Sequence, residues 1–397
     1  MLLILILPVY LFFCYYLFRR SYQWMGSCTR LLQGRWFLIA DAAVYWSLAA
    51  SPVAAFFLES TPYEFFMKRV SNFWLGVFLY IILLSLILEA VRLILKKTHL
   101  VRPEFLQSRK VLALTGGTLA VTILAVSIYG TFHAGTVYHT EYDVAIAKSG
   151  GNNSDLTIAF VSDLHLGYSI GVHHIEKMVE EINAMDADLV CIAGDIFDND
   201  YGAIQDPEHL IALFQKVQSR YGIYACYGNH DLDEPILLGF TFQGKKKTND
   251  ERLRDFLSQA GIRLLEDESV LIDDSFYLIG RKDRSRVKKT ETSGRLTPAE
   301  LTKHLDLSKP VLAMDHQPRD LAEMAEAGVD LDLSGHTHDG QLWPFTLLIQ
   351  AMWENSYGRL TVESMTSIVT SGLGLWGPNM RVGTNSEIVE IHVTFTP

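Results

Sequence analysis

The sequence predicts an α/β protein carried behind a bundle of about four transmembrane helices. Three observations lead there. Four apolar stretches crowd the first third of the chain, strands and helices alternate from Leu156 onward, and metal-type side chains recur where apolar runs end.

The apolar stretches are Met1–Phe18, Trp36–Leu58, Phe73–Leu95 and Val111–Thr131. Each approaches the ~20 residues that carry a helix across a hydrocarbon core. In the first, the positive charges follow the apolar run and no small-residue cleavage site is evident. It therefore reads as a membrane helix and not as a signal peptide. Arg19, Arg20, Arg30 and Arg35 fill the first loop, and Lys96, Lys97, Arg102, Arg109 and Lys110 the third. The second holds only Lys68 and Arg69, offset by Glu59 and Glu64. Basic loops mark the cytoplasmic side. The expectation is a multi-pass cell-membrane protein with residues 1–135 helical and the 150–397 domain outside the cytoplasm. Asp41 and Glu89 fall within expected spans, where ionisable groups are costly. With no polar series beside them, they read as sitting near a helix end or against a partner helix. Transport is not indicated.

Charge divides with the domains. Residues 1–148 carry 13 Lys/Arg and 7 Asp/Glu, and the rest carry 21 and 38, a balance of −17. An acidic globular half argues against nucleic-acid binding, which needs a basic face. Cys14 and Cys28 lie in or near the first apolar segment, and Cys191 and Cys226 lie inside apolar strands. No disulfide framework or thiolate metal site is indicated.

In the globular half, Leu156–Ser162, Leu189–Ala193 and Ile223–Tyr227 read as buried strands. Helices fall between and after them at 174–185, 207–220 and 249–260, the first marked by Ile175, Met178, Val179 and Ile182. That alternation implies right-handed crossovers and a parallel sheet. Arg263–Asp273 and Ser275–Gly280 pair as a hairpin, and Val311–Met314, Leu331–Leu333, Ser367–Thr370 and Ile388–Phe395 complete the strands; the hairpin and the strand-rich end imply a second, mixed sheet.

Five clusters follow such strands: Asp163-Leu164-His165, Gly194-Asp195, Gly228-Asn229-His230-Asp231, His316, and Gly335-His336-Thr337-His338. Ligands of open α/β sheets collect beyond the carboxyl ends of strands. Side chains two apart in an extended segment point the same way, so Asp163 and His165 can share an ion. Oxygen and nitrogen donors without thiolate fit a reactive centre better than a structural zinc.

Taken in order over residues 156–393, Asp-x-His, Gly-Asp-x-x-Asp, Gly-Asn-His-Asp, a lone His and Gly-His-x-His resemble the calcineurin-like metallophosphoesterase superfamily. Gly335-His336-Thr337-His338-x-Gly340-Gln341, the run Ser371–Pro378 and the tail Arg381–Ile388 are similar to its membrane-associated bacterial branch. One position differs: Asp339 stands where that branch often has glycine. The resemblance implies an α/β/β/α sandwich of two mixed sheets around two divalent ions, with Mn, Fe and Zn all compatible. It assigns one ion to Asp163, His165 and His338, and the other to Asn229, His316 and His336, with Asp195 bridging. It makes His230 the general acid or phosphoryl-stabilising cation, oriented by Asp198 and Asp231. The implied activity is hydrolysis of phosphomonoesters or phosphodiesters, with lipid phosphates in range. Alternatives are a nucleotide-lipid pyrophosphatase of the UDP-diacylglucosamine type and a catalytically silent membrane sensor or scaffold.

Two further runs bear on substrate. Arg281, Lys282, Arg284, Arg286, Lys288, Lys289 and Arg295 form a basic cluster that reads equally as an anion-binding loop or a solvated one. Trp343, Pro344, Phe345, Leu347, Leu348 and Trp353 read as an apolar rim that admits a lipid tail or as core. Lys245–Lys247 read as a solvated turn.

Overall fold

Long apolar runs form long helices in the first third of this computed structural model. It describes residues 2–58, 61–232, 236–237, 240–241, 250–290 and 294–396; the side chains of 2–5, 236–237, 240–241 and 288–290 are also outside the description. Glu59, the Lys245–Lys247 turn and the side chains of Lys288 and Lys289 thus lie outside it. The chain divides into two units, Met1–Gly130 with Leu237–Gly239, and Thr131–Ile236 with Phe240–Pro397.

The first unit holds α1 (Leu2–Cys28), α2 (Arg35–Phe57), α3 (Glu64–Lys97), the short α4 (Pro103–Leu106) and α5 (Arg109–Ala134). Among the described residues, α2, α3 and α5 are long and apolar enough to cross a membrane. Three of the four or so expected spans are thus found among the described residues. Helix α1 covers the first expected span, but Arg19 and Arg20 end its apolar run and a polar turn follows. Aromatic side chains join α1 to its neighbours: Tyr10 donates to the Ala49 carbonyl at 2.6 Å and accepts from Trp74 Nε1 at 2.7 Å. Glu89 sits against a partner helix, as expected. It pairs with both Arg20 and Arg92, and Arg92 donates to Thr115 Oγ1 at 2.8 Å.

The second unit stacks two six-stranded sheets. The first runs β1 (Val137–Ile146), β14 (Ser386–Phe395), β2 (Asp155–Val161), β3 (Leu189–Ala193), β4 (Ile223–Cys226), β7 (Ile262–Leu264). Its β2-β3-β4-β7 part is parallel, and β14 pairs antiparallel with β2 and parallel with β1. The second runs β12 (Gly358–Val362), β13 (Met365–Val369), β11 (Leu331–Ser334), β10 (Val311–Met314), β9 (Phe276–Gly280), β8 (Glu268–Ile272). Its four central strands are parallel and its edges antiparallel. Strands β5 (Ile236–Leu237) and β6 (Phe240–Thr241) form a separate ribbon.

Three apolar layers make the sandwich. Phe160, Cys191, Leu278, Met314, Leu333 and Ile391 belong to the layer between the sheets. Helices α6 (Val172–Ala184), α7 (Pro207–Phe214) and α8 (Glu251–Gln259) cover the first sheet through Ile175, Leu210 and Phe256. Helices α10 (Pro298–Thr302) and α11 (Leu321–Glu326) cover the second through Leu301 and Met324. Helices α9 (Arg284–Thr290) and α12 (Phe345–Met352) lie in the intervening connections. The four cysteines are free thiols.

Two expectations shift. The run Arg263–Asp273 is not one strand: β7 joins the first sheet and β8 the second, so only β8 and β9 form the hairpin. Strands β1 and β12 were not anticipated. Both are edge strands whose polar side chains, such as His139, Glu141 and Arg359, are tolerated by solvent on one face.

Candidate metal centre

The carboxyl ends of β2, β3, β4, β10 and β11 deliver the predicted side chains to one place. Asp163 and His165 follow β2, Asp195 follows β3, Asn229 and His230 follow β4, His316 follows β10, and His336 and His338 follow β11. Tight turns are needed to aim them back over the sheet. Asp163, His165, Asp195, His336 and His338 all adopt positive φ, between 47° and 70°. Such conformations cost about 1–3 kcal/mol each in a non-glycine residue. The surrounding fold sustains that strain at the residues the motifs singled out.

Among the described residues three groups of ligand atoms form here: Asp163 with His165 and His338, Asp195 with His316 and His336, and His165 with Asp198 and His230. His165 Nε2 lies 3.1 Å from His338 Nε2, and His338 Nε2 lies 3.4 Å from Asp163 Oδ1. His336 Nδ1 lies 3.1 Å from His316 Nε2, which is 3.0 Å from Asp195 Oδ2. Asp195 also faces the first group, its Oδ2 3.9 Å from His165 Nε2.

These separations fit a shared cation. Two nitrogens each ~2.1 Å from one ion stand roughly 3 Å apart. Asn229 Oδ1 is buried without a hydrogen-bond donor among the described residues, an acceptor left open. Burial and neighbouring cationic groups hold His336 and His338 well below the ordinary imidazole range, so both present lone pairs. His316 is different: burial disfavours its charge, but Asp195 and Asp163 outweigh that and raise it well above the ordinary value. The carboxylates here demand positive charge.

Close packing fixes the loops. A Cβ on Gly335 would collide with Ser162 Oγ and Asp163 Oδ2, and one on Gly194 would lie 2.7 Å from His316 Nδ1. Asp163 also accepts the His336 backbone N–H at 3.0 Å.

Asp198 and Asp231 take different positions around His230, and Asp198 groups with His165 and His230, one ligand atom of each lying within 4.8 Å of the others. Asp231 is fully buried and accepts two backbone N–H groups, from Phe197 at 2.9 Å and Gly228 at 2.6 Å. It braces the loops; burial pushes its carboxyl up to about 7, with repulsion from Asp195 adding. Asp198 Oδ1 lies 3.5 Å from His165 Nδ1, without hydrogen-bond geometry. Asn199 Oδ1 instead contacts the His230 Nδ1, and the His230 backbone N–H donates to Asp195 Oδ1 at 2.7 Å. Asn199 adjoins Asp198 in sequence, but an amide in a turn carries no signal of its own.

Arg381 was quoted only within a tail run, yet it is wholly buried. Its Nη2 donates to the carbonyls of Ser371 and Gly374 at 2.8 Å and Gly372 at 3.0 Å, and lies 3.4 Å from His338 Nδ1. Burial brings its pKa down to about 10.

Among the described residues of the basic run Arg281–Arg295, Arg284 is exposed, whereas Arg281, Arg286 and Arg295 are drawn into the fold. Arg281 and Arg295 are buried or nearly so against Asp315, and Arg281 also approaches Asp320. Arg286 stacks on Tyr227, 3.8 Å from the ring centre, and donates to the Asp231 carbonyl at 3.0 Å. These cations brace the segments that present His230 and His316. By contrast, the apolar run after His338 is not core. Trp343, Phe345, Leu347, Leu348 and Met352 are exposed on and before α12, while Trp353 lies against the His336 ring. A further group, His139, Glu141 and Glu390, sits on β1 and β14, with His139 and Glu390 2.8 Å apart.

Comparison with known proteins agrees with this geometry. Residues 156–340 match the calcineurin-like phosphoesterase family. An uncharacterized metallophosphoesterase of Helicobacter pylori strain J99 is 28% identical over 243 residues, covering 61% of this chain and 60% of that protein. A transmembrane protein with metallophosphoesterase domain from Danio rerio is 25% identical over 296 residues, covering 70% and 64%. The matched region thus spans less than two thirds of either relative. Among solved structures, a 5'-nucleotidase precursor from Thermus thermophilus shares 14% identity over 60% of this chain and 54% of that one, at a TM-score of 0.36. That likeness is too loose to carry an argument.

Proposed function

With residues 156–340 belonging to the calcineurin-like phosphoesterase superfamily, we propose that the chain is a membrane-anchored, two-metal phosphoesterase. In this reading it cleaves P–O bonds of phosphate esters, including lipid-borne ones, outside the cytoplasm. The observation that carries it is the facing pair of ligand groups, Asp163-His165-His338 and Asp195-His316-His336, across which His165 Nε2 and Asp195 Oδ2 lie 3.9 Å apart; the buried, unpartnered Asn229 Oδ1 adds to it.

Asp163, His165 and His338 would hold one divalent ion, Asn229, His316 and His336 the other, and Asp195 would face both. Bound there, two ions lower the pKa of an attacking water and offset charge on the phosphoryl oxygens. The chain's own residues do the rest. The His316 Nδ1 donates to the Ala193 carbonyl at 2.9 Å, which turns Nε2 toward the centre. His230, anchored through its backbone to Asp195 and through its ring to Asn199, is held to protonate the leaving oxygen as the ester bond breaks. Asp198 and Asp231 act indirectly, the first beside His165 and the second through the loop backbone.

Supporting a lipid-borne substrate is the exposed apolar rim of Trp343, Phe345, Leu347 and Leu348, which follows His338 in the chain. An extracytoplasmic active site is supported by the basic first and third loops. Asp195→Ala and His338→Ala should each abolish hydrolysis of an aryl phosphate while the fold persists; full activity in either sinks the mechanism. A reporter fused after Pro397 reads the side of the membrane, and a screen of monoesters, diesters and lipid phosphates reads the substrate class.

A further inference from the structure

Between α1, α3 and α5 the first unit contains a cavity of about 670 Å³, well within the ~300–1,000 Å³ of ligand pockets. Its lining is chemically divided. Arg20, Glu89, Arg92 and Gln23 form a polar part, and Val77, Ile81, Leu119, Ile123 and Leu124 form an apolar wall.

The polar part is unbalanced. Glu89 pairs with Arg20, and the same Oε1 lies 3.2 Å from Arg92 Nη1. Two guanidinium groups share one carboxylate, leaving one excess positive charge. Thr115 Oγ1 accepts from Arg92 Nη2 but adds no negative charge. An uncompensated cation among membrane helices is costly, and an anionic partner relieves that cost.

The cavity is built and not a loose gap. Trp24 on α1 donates through Nε1 to the Ala113 carbonyl of α5 at 3.1 Å. Its indole lies so close to Gly116 that any Cβ there would strike it. Arg109 Nη2 ties α5 back to the Gly26 carbonyl at 3.1 Å. Closure of α1 on α5 therefore depends on a glycine and on paired polar groups.

A cationic cluster continuous with an apolar wall matches a ligand with an anionic head and a hydrocarbon chain. We propose that this cavity binds an anionic phospholipid, its phosphate completing the Arg20–Glu89–Arg92 cluster and its acyl chain lying along Val77, Leu119 and Ile123. Nothing in this depends on phosphoester hydrolysis by the second unit.

The test is native mass spectrometry of the full chain in detergent, titrated with phosphatidylglycerol or phosphatidylcholine. Phosphatidylglycerol should bind at least tenfold more tightly, and Arg92→Gln should weaken it by about tenfold through loss of a charged hydrogen bond. Glu89→Gln should change it in the opposite direction by adding net positive charge, and Ile123→Trp should displace the chain and weaken both lipids. Circular dichroism melts verify that each variant is folded. Equal affinity for the two lipids overturns the proposal. So does unchanged binding in folded Arg92→Gln, a loss in folded Glu89→Gln, or displacement of the lipid by glycerol phosphate alone.

Discussion

His316 and Ala193 are joined by a 2.9 Å hydrogen bond in which the ring Nδ1–H donates to the main-chain carbonyl. The two residues are 123 positions apart and lie on different sheets, at the ends of β10 and β3. A carbonyl can only accept, so the proton is fixed on Nδ1. Nε2 is thereby turned toward Asp195 and His336, where a bound cation would take the place of its proton.

Replacing His316 with Ala is expected to remove about one equivalent of bound metal per chain, measured by elemental analysis after dialysis. Retention of two equivalents would show that His316 is structural.

Asn199→Ala should loosen the His230 ring. If His230 donates a proton to the leaving oxygen, the loss depends on how badly that oxygen needs one. Turnover of an alkyl phosphate should fall roughly 10–100-fold, while that of a nitrophenyl phosphate changes little. Equal losses on the two substrates would point to a role in positioning alone.

Arg381→Met removes a buried guanidinium from three carbonyls near His338. Leaving those acceptors unpaired should cost roughly 3 kcal/mol or more. Urea unfolding of the full chain would report it, and a change under about 1 kcal/mol is incompatible with this role.

Gly335→Ala introduces a Cβ where Ser162 and Asp163 already stand. The Asp163 and His336 loops must move apart. Metal affinity should drop at least tenfold with only a modest change in melting temperature. Wild-type affinity would mean that the loops give way freely.

Asp332 supplies a pH prediction away from the ligands. It is buried between Ser334 and Ser367, which donate to it at 3.2 and 2.9 Å. Burial, reinforced by Asp315, pushes its carboxyl up to about 7. An unfolded Asp titrates near 3.9, so the folded chain carries the extra proton between these values. Stability from this group is thus complete below about pH 4 and is lost as pH rises to about 7. Asp332→Asn should match wild type near pH 4 and exceed it above pH 7 by on the order of 1–4 kcal/mol. A difference that is the same at every pH rules this out.

Legibility of the site followed from local geometry. A strand that ends in Asp-x-His or Gly-His-x-His announces ligand-type side chains at a sheet edge, whatever the rest of the chain does. Asn199, Arg381 and the Arg281–Asp315–Arg295 cluster were not legible, because each acts through a contact distant in sequence. A basic run looks the same on paper whether it is solvated or buried against a carboxylate.

The sequence alone determined the order of elements, the apolar N-terminal helices and the seven ligand-type side chains at strand ends. Periodicity and residue chemistry are local properties, so one chain suffices to read them. Only the tertiary structure decided that Arg263–Asp273 splits between two sheets, that Asn199 rather than Asp231 meets His230, and that the α12 apolar run stays exposed. It also showed Glu89 between two arginines from different helices. Each of these depends on which surfaces meet across the fold, and pairing between distant segments is set by packing and charge, not by neighbours along the chain.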